Sequence, residues 1–137
     1  MSEFLSISAA LDARLNAMTS VPPVAWENLA YKPIKGTLYL RPTLLPAGTV
    51  GATVGATGTD EHVGIYQVDV MGDSGKGKNA AIVMADLIAD QFKPVTELTH
   101  GGLTVRCVTV SRGRAQTEDD RYMIPVEIKY LSFTTKR

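Results

Sequence analysis

The chain has 137 residues, of which 45% are hydrophobic and 20% charged, and its 14 basic and 14 acidic side chains give a formal net charge of zero. This length suits one domain with a sizeable core, so we predict a single domain over residues 1–137. The neutral balance provides no global field that would attract nucleic acid or an anionic membrane, and it gives little protection against self-association.

The cysteine content and the first residues indicate the compartment in which the protein is made. The one cysteine, Cys107, excludes an internal disulfide and a zinc site built from cysteines, and its context LTVRCVTV indicates a core position in a strand. The opening MSEFLSIS lacks the basic segment and long apolar run of a secretory signal. No apolar stretch reaches the roughly 18 residues of a membrane span. We therefore expect a soluble protein made in a cytoplasm.

The first third of the chain predicts a helix and then a strand. Residues 2–18 carry apolar side chains at helical spacing, namely Phe4, Ile7, Leu11, Leu15 and Met18. Pro22 ends this helix because it lacks an amide hydrogen. Residues 37–45 are typical of a strand, and Pro42 within it implies an edge position or a bulge.

Residues 46–60, PAGTVGATVGATGTD, form the one compositionally unusual stretch. It consists mainly of small residues and has no charge before Asp60, so it offers little apolar surface to offset the entropy of ordering. Such a long connection is uncommon in a compact domain unless it is functional. Its valines and threonines are compatible with strands, and we therefore predict a long β-hairpin arm that becomes ordered against a neighbour.

The rest of the chain predicts three strands and one helix. In the strand over 62–71, Tyr66, Val68 and Val70 share the drier face and are expected to meet the core. The other predicted elements are a helix over 79–93, strands over 103–111 and 122–133, and a charged loop over 112–121. The fold class is then α+β: a mostly antiparallel or mixed sheet with two helices packed on one face.

The stretch GDSGKGKN, residues 72–79, differs from a phosphate-binding P-loop in having Asn79 where a Ser or Thr ligates Mg²⁺. The preceding strand is amphipathic rather than buried, and the βαβ repetition of a nucleotide-binding sheet is missing. We interpret the stretch as a strand-to-helix turn in which glycines supply positive φ, namely Gly72, Gly75 and Gly77. Asn79 or Ser74 is expected to cap the helix. Backbone amides at that helix end remain an alternative site for an anion or a partner's carboxylate.

Other candidate sites carry weaker signals. His62, which we place beside a turn, stands next to Asp60 and Glu61 and could contribute to a metal site, but no further ligands follow at suitable spacing, and a solvated loop is the alternative. The 112–121 loop is densely charged, with Glu118, Asp119 and Asp120 close to Arg112, Arg114 and Arg121, which fits a solvated hairpin tip or an interface. No nucleophile stands in a catalytic signature. We therefore predict no catalytic residue, cofactor or metal.

Several clusters in this order resemble the tail terminator proteins of long-tailed, lambda-type bacteriophages and their prophage relatives. The matching stretches are ALDARL in the first helix, VAWEN at 24–28, YKP at 31–33, LYLRPTLLP at 38–46, the block from Gly64 to Phe92 and VEIKY near the C-terminus. The most specific parts are the Trp26-Glu27-Asn28 cluster and the strand–turn–helix block. The 47–60 segment is not matched to any family role.

This resemblance implies a non-enzymatic structural virion protein. Such subunits close into a ring, six-membered in the family, that caps the finished tail tube, stops its polymerisation and offers a surface to head-completion proteins. The implied partners are further copies of the chain, the tail tube protein and the head-completion or connector protein, while DNA passes through the lumen without specific binding. The implied location is the head–tail junction of the virion, after assembly in the host cytoplasm.

We place the subunit and partner contacts on the arm and on the charged loop. The candidate residues are Thr49, Val50, Thr53, Val54, Thr57, Asp60, Glu61, Arg112, Arg114, Asp119 and Asp120. The four acidic residues of this set are expected to face the lumen and keep passing DNA from adhering. Two alternatives stay open: a head–tail connector or tail-tube subunit, and a small anion- or nucleotide-binding protein that uses residues 72–79.

Overall fold

The computed structural model describes residues 3–51, 59–73, 75, 78–118 and 120–135. The helices in this part of the chain are α1 (Glu3–Asn16) and α2 (Asn79–Gln91). The strands are β1 (Tyr39–Gly51), β2 (Thr59–Asp73), β3 (Glu97–His100), β4 (Leu103–Arg112), β5 (Gln116–Glu118) and β6 (Arg121–Thr135).

The described strands form one six-stranded antiparallel sheet in the order β1-β2-β6-β4-β3, with β5 paired to β6. Strands β4 and β5 follow each other along the same edge of β6, so together they make a long hairpin with it. Strands β1 and β2 make a second long hairpin. The predicted α+β class is confirmed, and every described ladder pair is antiparallel.

One face of the sheet carries the core and both helices. Strand alternation sends Tyr66, Val68 and Val70 to this face, and all three are buried, as predicted. They pack with the inward side chains of both helices and of the other central strands. Of the stripe predicted for residues 2–18, Ile7, Leu11 and Leu15 lie on the buried side of α1, and Met18 is buried just beyond its end. Phe4 is 50% exposed, and Ser6 is buried in the same turn instead.

Polar contacts join the helices to each other and to the sheet. The Arg14 side chain donates to the Gln91 carbonyl at 2.8 Å, and the Gln91 amide donates to the Arg14 carbonyl at 2.7 Å. Each residue thus satisfies a carbonyl near the C-terminal end of the opposite helix. The Tyr66 hydroxyl donates to Asp12 Oδ1 at 2.5 Å, which ties α1 to β2. Burial is the main cause that raises the pKa of Tyr66, so this hydroxyl stays protonated and remains a donor.

Strand β1 lies at an edge of the sheet, as Pro42 predicted. The backbone N–H and carbonyl of Leu40 point away from β2. The N–H donates to the Pro23 carbonyl, and the carbonyl accepts from the Ala25 N–H. Strand alternation places Pro42 and Pro46 at outward positions too, so neither proline removes a hydrogen bond to β2. The bulge falls after Pro46, at the shift in register before Gly48, rather than at Pro42.

The described part of the predicted β-hairpin arm is paired strand within one chain. Strands β1 and β2 pair up to Gly51 and Asp60, apart from the bulge after Pro46, and Thr59 pairs with Thr135 of β6. Residues 52–58 of the predicted arm lie outside the described residues. His62 lies within β2, between partners on β1 and β6, and not beside a turn. The short strands β3 and β5 were not predicted, because neither has more than four residues.

Cys107 is fully buried in β4, as predicted, and burial raises the pKa of its thiol to about 11. Because only the thiolate reacts, we expect alkylation of the folded protein at pH 8 to be at least ~100-fold slower than alkylation of the unfolded chain. Timed thiol labelling with and without guanidinium measures this ratio. Equal rates in the two states would show that the strand opens readily.

Candidate functional site and assembly surfaces

The turn between β2 and α2 is organised by Asp73. Its carboxylate accepts from Arg121 Nη1 at 2.8 Å through Oδ1 and from the Gly36 N–H at 2.5 Å through Oδ2. Both side chains of the ion pair are mostly buried, at 14% exposure for Arg121 and 12% for Asp73. The Arg121 guanidinium also lies 5.5 Å from the centre of the Tyr39 ring. Asp73 therefore connects the end of β2 with the loop at Gly36 and with the start of β6.

The predicted roles of individual residues in this turn are partly wrong. Gly75 has φ +82° and fits the predicted turn, but Gly72 is the penultimate residue of β2 and has no positive φ. A Cβ on Gly72 would lie 2.9 Å from Leu38 Cδ2, so close packing explains this glycine. Lys78 occupies the N-cap position without a side-chain cap, so Asn79 is the first helical residue and not the cap. Gly77 and Ser74 lie outside the described residues.

The surroundings of the turn differ from those of a P-loop. Strand β2 is antiparallel to both of its neighbours, so the parallel βαβ arrangement is missing from the described sheet, as predicted. A groove of about 240 Å³ lies beside the start of α2, between Gly36 and Tyr122. None of the described residues that line it is basic. The described lining therefore offers no cationic side chain to a phosphate.

The arm and the charged loop lie at opposite ends of the sheet. Asp60 and Glu61 lie near one end of β2, opposite the last described residues of β6. Asp73 at the other end of β2 pairs with Arg121, next to the tip of the β5–β6 hairpin. At a rise of ~3.3 Å per residue, β2 is roughly 45 Å long. The structure therefore does not bring the predicted contact residues together at one place.

Within these two segments the candidate residues have different environments. The backbones of Thr49 and Val50 pair with His62 and Glu61 in the arm. Arg112 forms an ion pair with Asp86 of α2, in which both side chains are 52% exposed. Two further candidates, Arg114 and Asp120, are exposed. The remaining candidates lie outside the described residues, namely Thr53, Val54, Thr57 and Asp119.

The described residues contain neither a metal-binding cluster nor a helix suited to cross a membrane. No group of three or more His, Cys, Asp or Glu side chains in that part of the chain is placed to hold a metal ion. His62 with Asp60 and Glu61 does not make such a group. Neither described helix is long and apolar enough to cross a membrane.

The sheet face opposite the helices carries an apolar surface that the sequence analysis missed. We call it the outer band; its members are Leu45, Val63, Ile65, Val108, Leu131 and Phe133. Leu45 pairs with Ile65, Val63 pairs with Leu131, and Val108 lies in β4, so the band crosses four strands. Leu45, Val108 and Phe133 are 43%, 42% and 50% exposed, respectively. An uncovered face of an antiparallel sheet is usually polar, which makes this band unusual.

Two bulges shape the outer band into a groove. One falls in β1 at Ala47, and the other falls in β4 at Val108. Bulges bend a strand and increase its twist. The groove between them has a volume of about 390 Å³. Its charged lining residues are Glu61 and Lys129, and Lys129 lies beside Ile65 and Leu131. Lys129 is exposed and takes part in no ion pair with a described residue.

Helix α2 exposes a second apolar surface on the other side of the molecule. Val83 and Leu87 are 58% and 45% exposed, and Asp90 follows them on the same helical stripe, at spacings of four and three residues. We call Val83, Leu87 and Asp90 the α2 stripe. Asp90 is exposed and, like Lys129, has no ion-pair partner among the described residues. The buried side of α2 contains Ala81, Ala85 and Ile88.

Uncovered apolar surfaces of this kind mark sites of protein–protein interaction and are typical of an assembly component. The family model for the phage tail terminator protein matches residues 6–130. The chain therefore belongs to the phage tail terminator protein family, which confirms the resemblance drawn from the sequence. Members of this family are structural components of the phage tail, and we assign that role to this chain.

Solved structures support the fold. One shares 31% sequence identity with this chain, covers 96% of each chain and has a TM-score of 0.76. A chain from the structure titled "Virion of native gene transfer agent (GTA) particle" is 19% identical, covers 96% of this chain and 97% of its own, and has a TM-score of 0.67. At that identity the second likeness concerns the fold alone. No curated protein matches the chain at a significant level.

Proposed function

We propose that this protein forms a ring that caps the finished tail tube, stops its polymerisation and offers the joining surface for head-completion proteins. The observation that carries the proposal is the family match over residues 6–130. Homo-oligomerisation is favoured by the zero net charge and by the apolar surfaces on both sides of the molecule. The ring has six subunits in this proposal, and it acts without a catalytic residue or a cofactor.

The two ends of the sheet support a role in joining unlike structures. The arm, with Thr49, Val50, Asp60 and Glu61, lies at one end, and the hairpin with Asp120 lies at the other. A subunit with different elements at its two ends can contact the tube protein on one side of a ring and the head-completion protein on the other. The arm and the charged hairpin are therefore our proposed contact elements.

The acidic residues of both ends are proposed to face the lumen, where they keep DNA from adhering as it passes. Because Asp60 and Glu61 lie roughly 45 Å from the β5–β6 tip along the strand direction, they would act at two levels of the channel. We expect Asp60→Asn with Glu61→Gln to increase DNA retention in assembled particles. Unchanged DNA ejection and DNA binding in this variant would contradict the lumen assignment.

The ring itself is tested by light scattering after size-exclusion chromatography and by electron microscopy, with and without tube protein. We expect closed rings, and we expect added protein to stop the growth of tube polymers at its ends. Long polymers of this chain alone would instead indicate a tube subunit, and rings that bind only head proteins would indicate a connector. Calorimetric titration with Mg·ATP addresses residues 72–79; affinity lost in Lys78→Ala would support nucleotide binding.

A further inference from the structure

The outer band and the α2 stripe lie on opposite sides of one two-layered molecule. The helices cover one face of the sheet, the outer band lies on the bare face, and the α2 stripe points away from the sheet. We propose that the α2 stripe of one subunit docks into the groove of the outer band on the next subunit. This inference rests on the proposed ring and names the surfaces that close it.

The layer architecture supports a helix as the occupant of the groove. A sheet face that exposes apolar side chains is stabilised when another layer covers it. In one copy, helices cover the other face only, and the described residues provide no element over the outer band. The α2 stripe of a second copy presents Val83 and Leu87 one helical turn apart, so both side chains can enter the groove together. The result is a sheet with helices on both faces.

The opposite charges of Lys129 and Asp90 support this pairing and its orientation, with Asp90 at the Lys129 side of the groove and away from Glu61. Lys129 in the wall of the groove and Asp90 on the α2 stripe are opposite in sign, and each lacks an ion-pair partner among the described residues. Docking Val83 and Leu87 beside Ile65 and Leu131 places the acid of one copy near the base of the next. A unit charge pair at an interface contributes more to partner choice and orientation than to raw affinity.

The contact is also of the kind that a ring needs. The two surfaces are different, so the contact is heterologous and runs head to tail from copy to copy. An isologous contact, in which each copy uses the same patch, would stop at a dimer. Because every subunit carries one groove and one α2 stripe, the chain of contacts continues until rotation closes it.

Charge reversal provides a test with an internal rescue. We expect Asp90→Lys alone and Lys129→Glu alone to raise the concentration needed for ring formation at least ten-fold. In a ring made of either single variant, residue 90 of one subunit and residue 129 of the next carry charges of the same sign. A 1:1 mixture of the two single variants restores opposite charges at every contact of an alternating ring. The double variant Asp90→Lys with Lys129→Glu restores them as well. Both samples should regain rings.

Controls separate the possible failures. Lys35→Glu changes an exposed loop lysine and should leave ring formation unchanged. Thermal unfolding of each variant should match wild type, since both reversed side chains are exposed. If wild type forms rings and the single variants do so equally well, or if neither the mixture nor the double variant recovers, the interface is wrong while the ring stands. Wild type that never forms rings, with or without tube protein, would overturn the proposed function itself.

Discussion

Gly64→Ala is expected to lower the free energy of unfolding by about 3 kcal/mol, at the upper end of the usual cost of overpacking a core. Gly64 lies in β2 directly opposite Tyr130 of β6, and the Tyr130 ring covers it. A Cβ at residue 64 would lie 2.7 Å from Tyr130 Cζ and 2.8 Å from the Leu45 carbonyl oxygen. The backbone oxygen cannot move without distorting β1, and Tyr130 is only 2% exposed, so neither neighbour has room to move.

Gly72→Ala is the matched control, because it changes a glycine of the same strand. Its added Cβ would meet Leu38 Cδ2 at 2.9 Å, which is the far end of a flexible side chain. We expect a loss of less than about 1 kcal/mol there, since another rotamer of Leu38 relieves the contact. Urea unfolding of both variants measures the difference. Similar losses at the two sites would show that Tyr130 moves aside as easily as Leu38.

Gly64 also shows which parts of the fold the sequence could predict. Alternation in 62–71 placed Tyr66, Val68 and Val70 on the core face, and the helical spacing in 2–18 placed Ile7, Leu11 and Leu15 on one face of α1. All six residues are buried, so both predictions are confirmed. These patterns are local, because burial of one face repeats with the period of the element. The close approach of Tyr130 to Gly64 joins residues 66 positions apart, and no local pattern contains it.

The candidate surfaces were harder to predict for the same reason. The outer band draws its residues from four strands, and only the pairing of Val63 with Leu131 and of Leu45 with Ile65 makes one surface of them. The sequence did show Val63 and Ile65 on the face of β2 opposite the core, which was the available signal. Asp73 was interpreted through a motif, yet its role depends on Arg121 and Gly36, which are distant in sequence. Long-range pairing therefore decides the function of these residues.

A second large loss of stability is expected when the ion pair between Arg41 and Asp69 is broken; this pair lies on the sheet face away from the helices. Arg41 donates to Asp69 Oδ2 from Nε at 3.2 Å and from Nη2 at 3.1 Å, while the Gln67 amide donates to Oδ1 at 2.8 Å. The Asp69 side chain is only 5% exposed, whereas that of Arg41 is 37% exposed. A second, smaller apolar cluster lies beside this ion pair and consists of Tyr39, Met71 and Met123.

We expect Arg41→Ala to lower the free energy of unfolding by about 3 kcal/mol, because removal of one partner leaves a buried carboxylate without its counter-charge. Arg41→Lys keeps the charge but loses the two-pronged contact with Oδ2, so a smaller loss of stability is expected.

The informative variant combines Arg41→Met with Asp69→Leu, which removes both charges and keeps apolar volume near the second cluster. Because both desolvation and attraction disappear together, this double variant should be more stable than Arg41→Ala. Urea unfolding at pH 7 ranks the three variants. A double variant that is less stable than Arg41→Ala would show that the pair adds net stability here, beyond the need to neutralise Asp69.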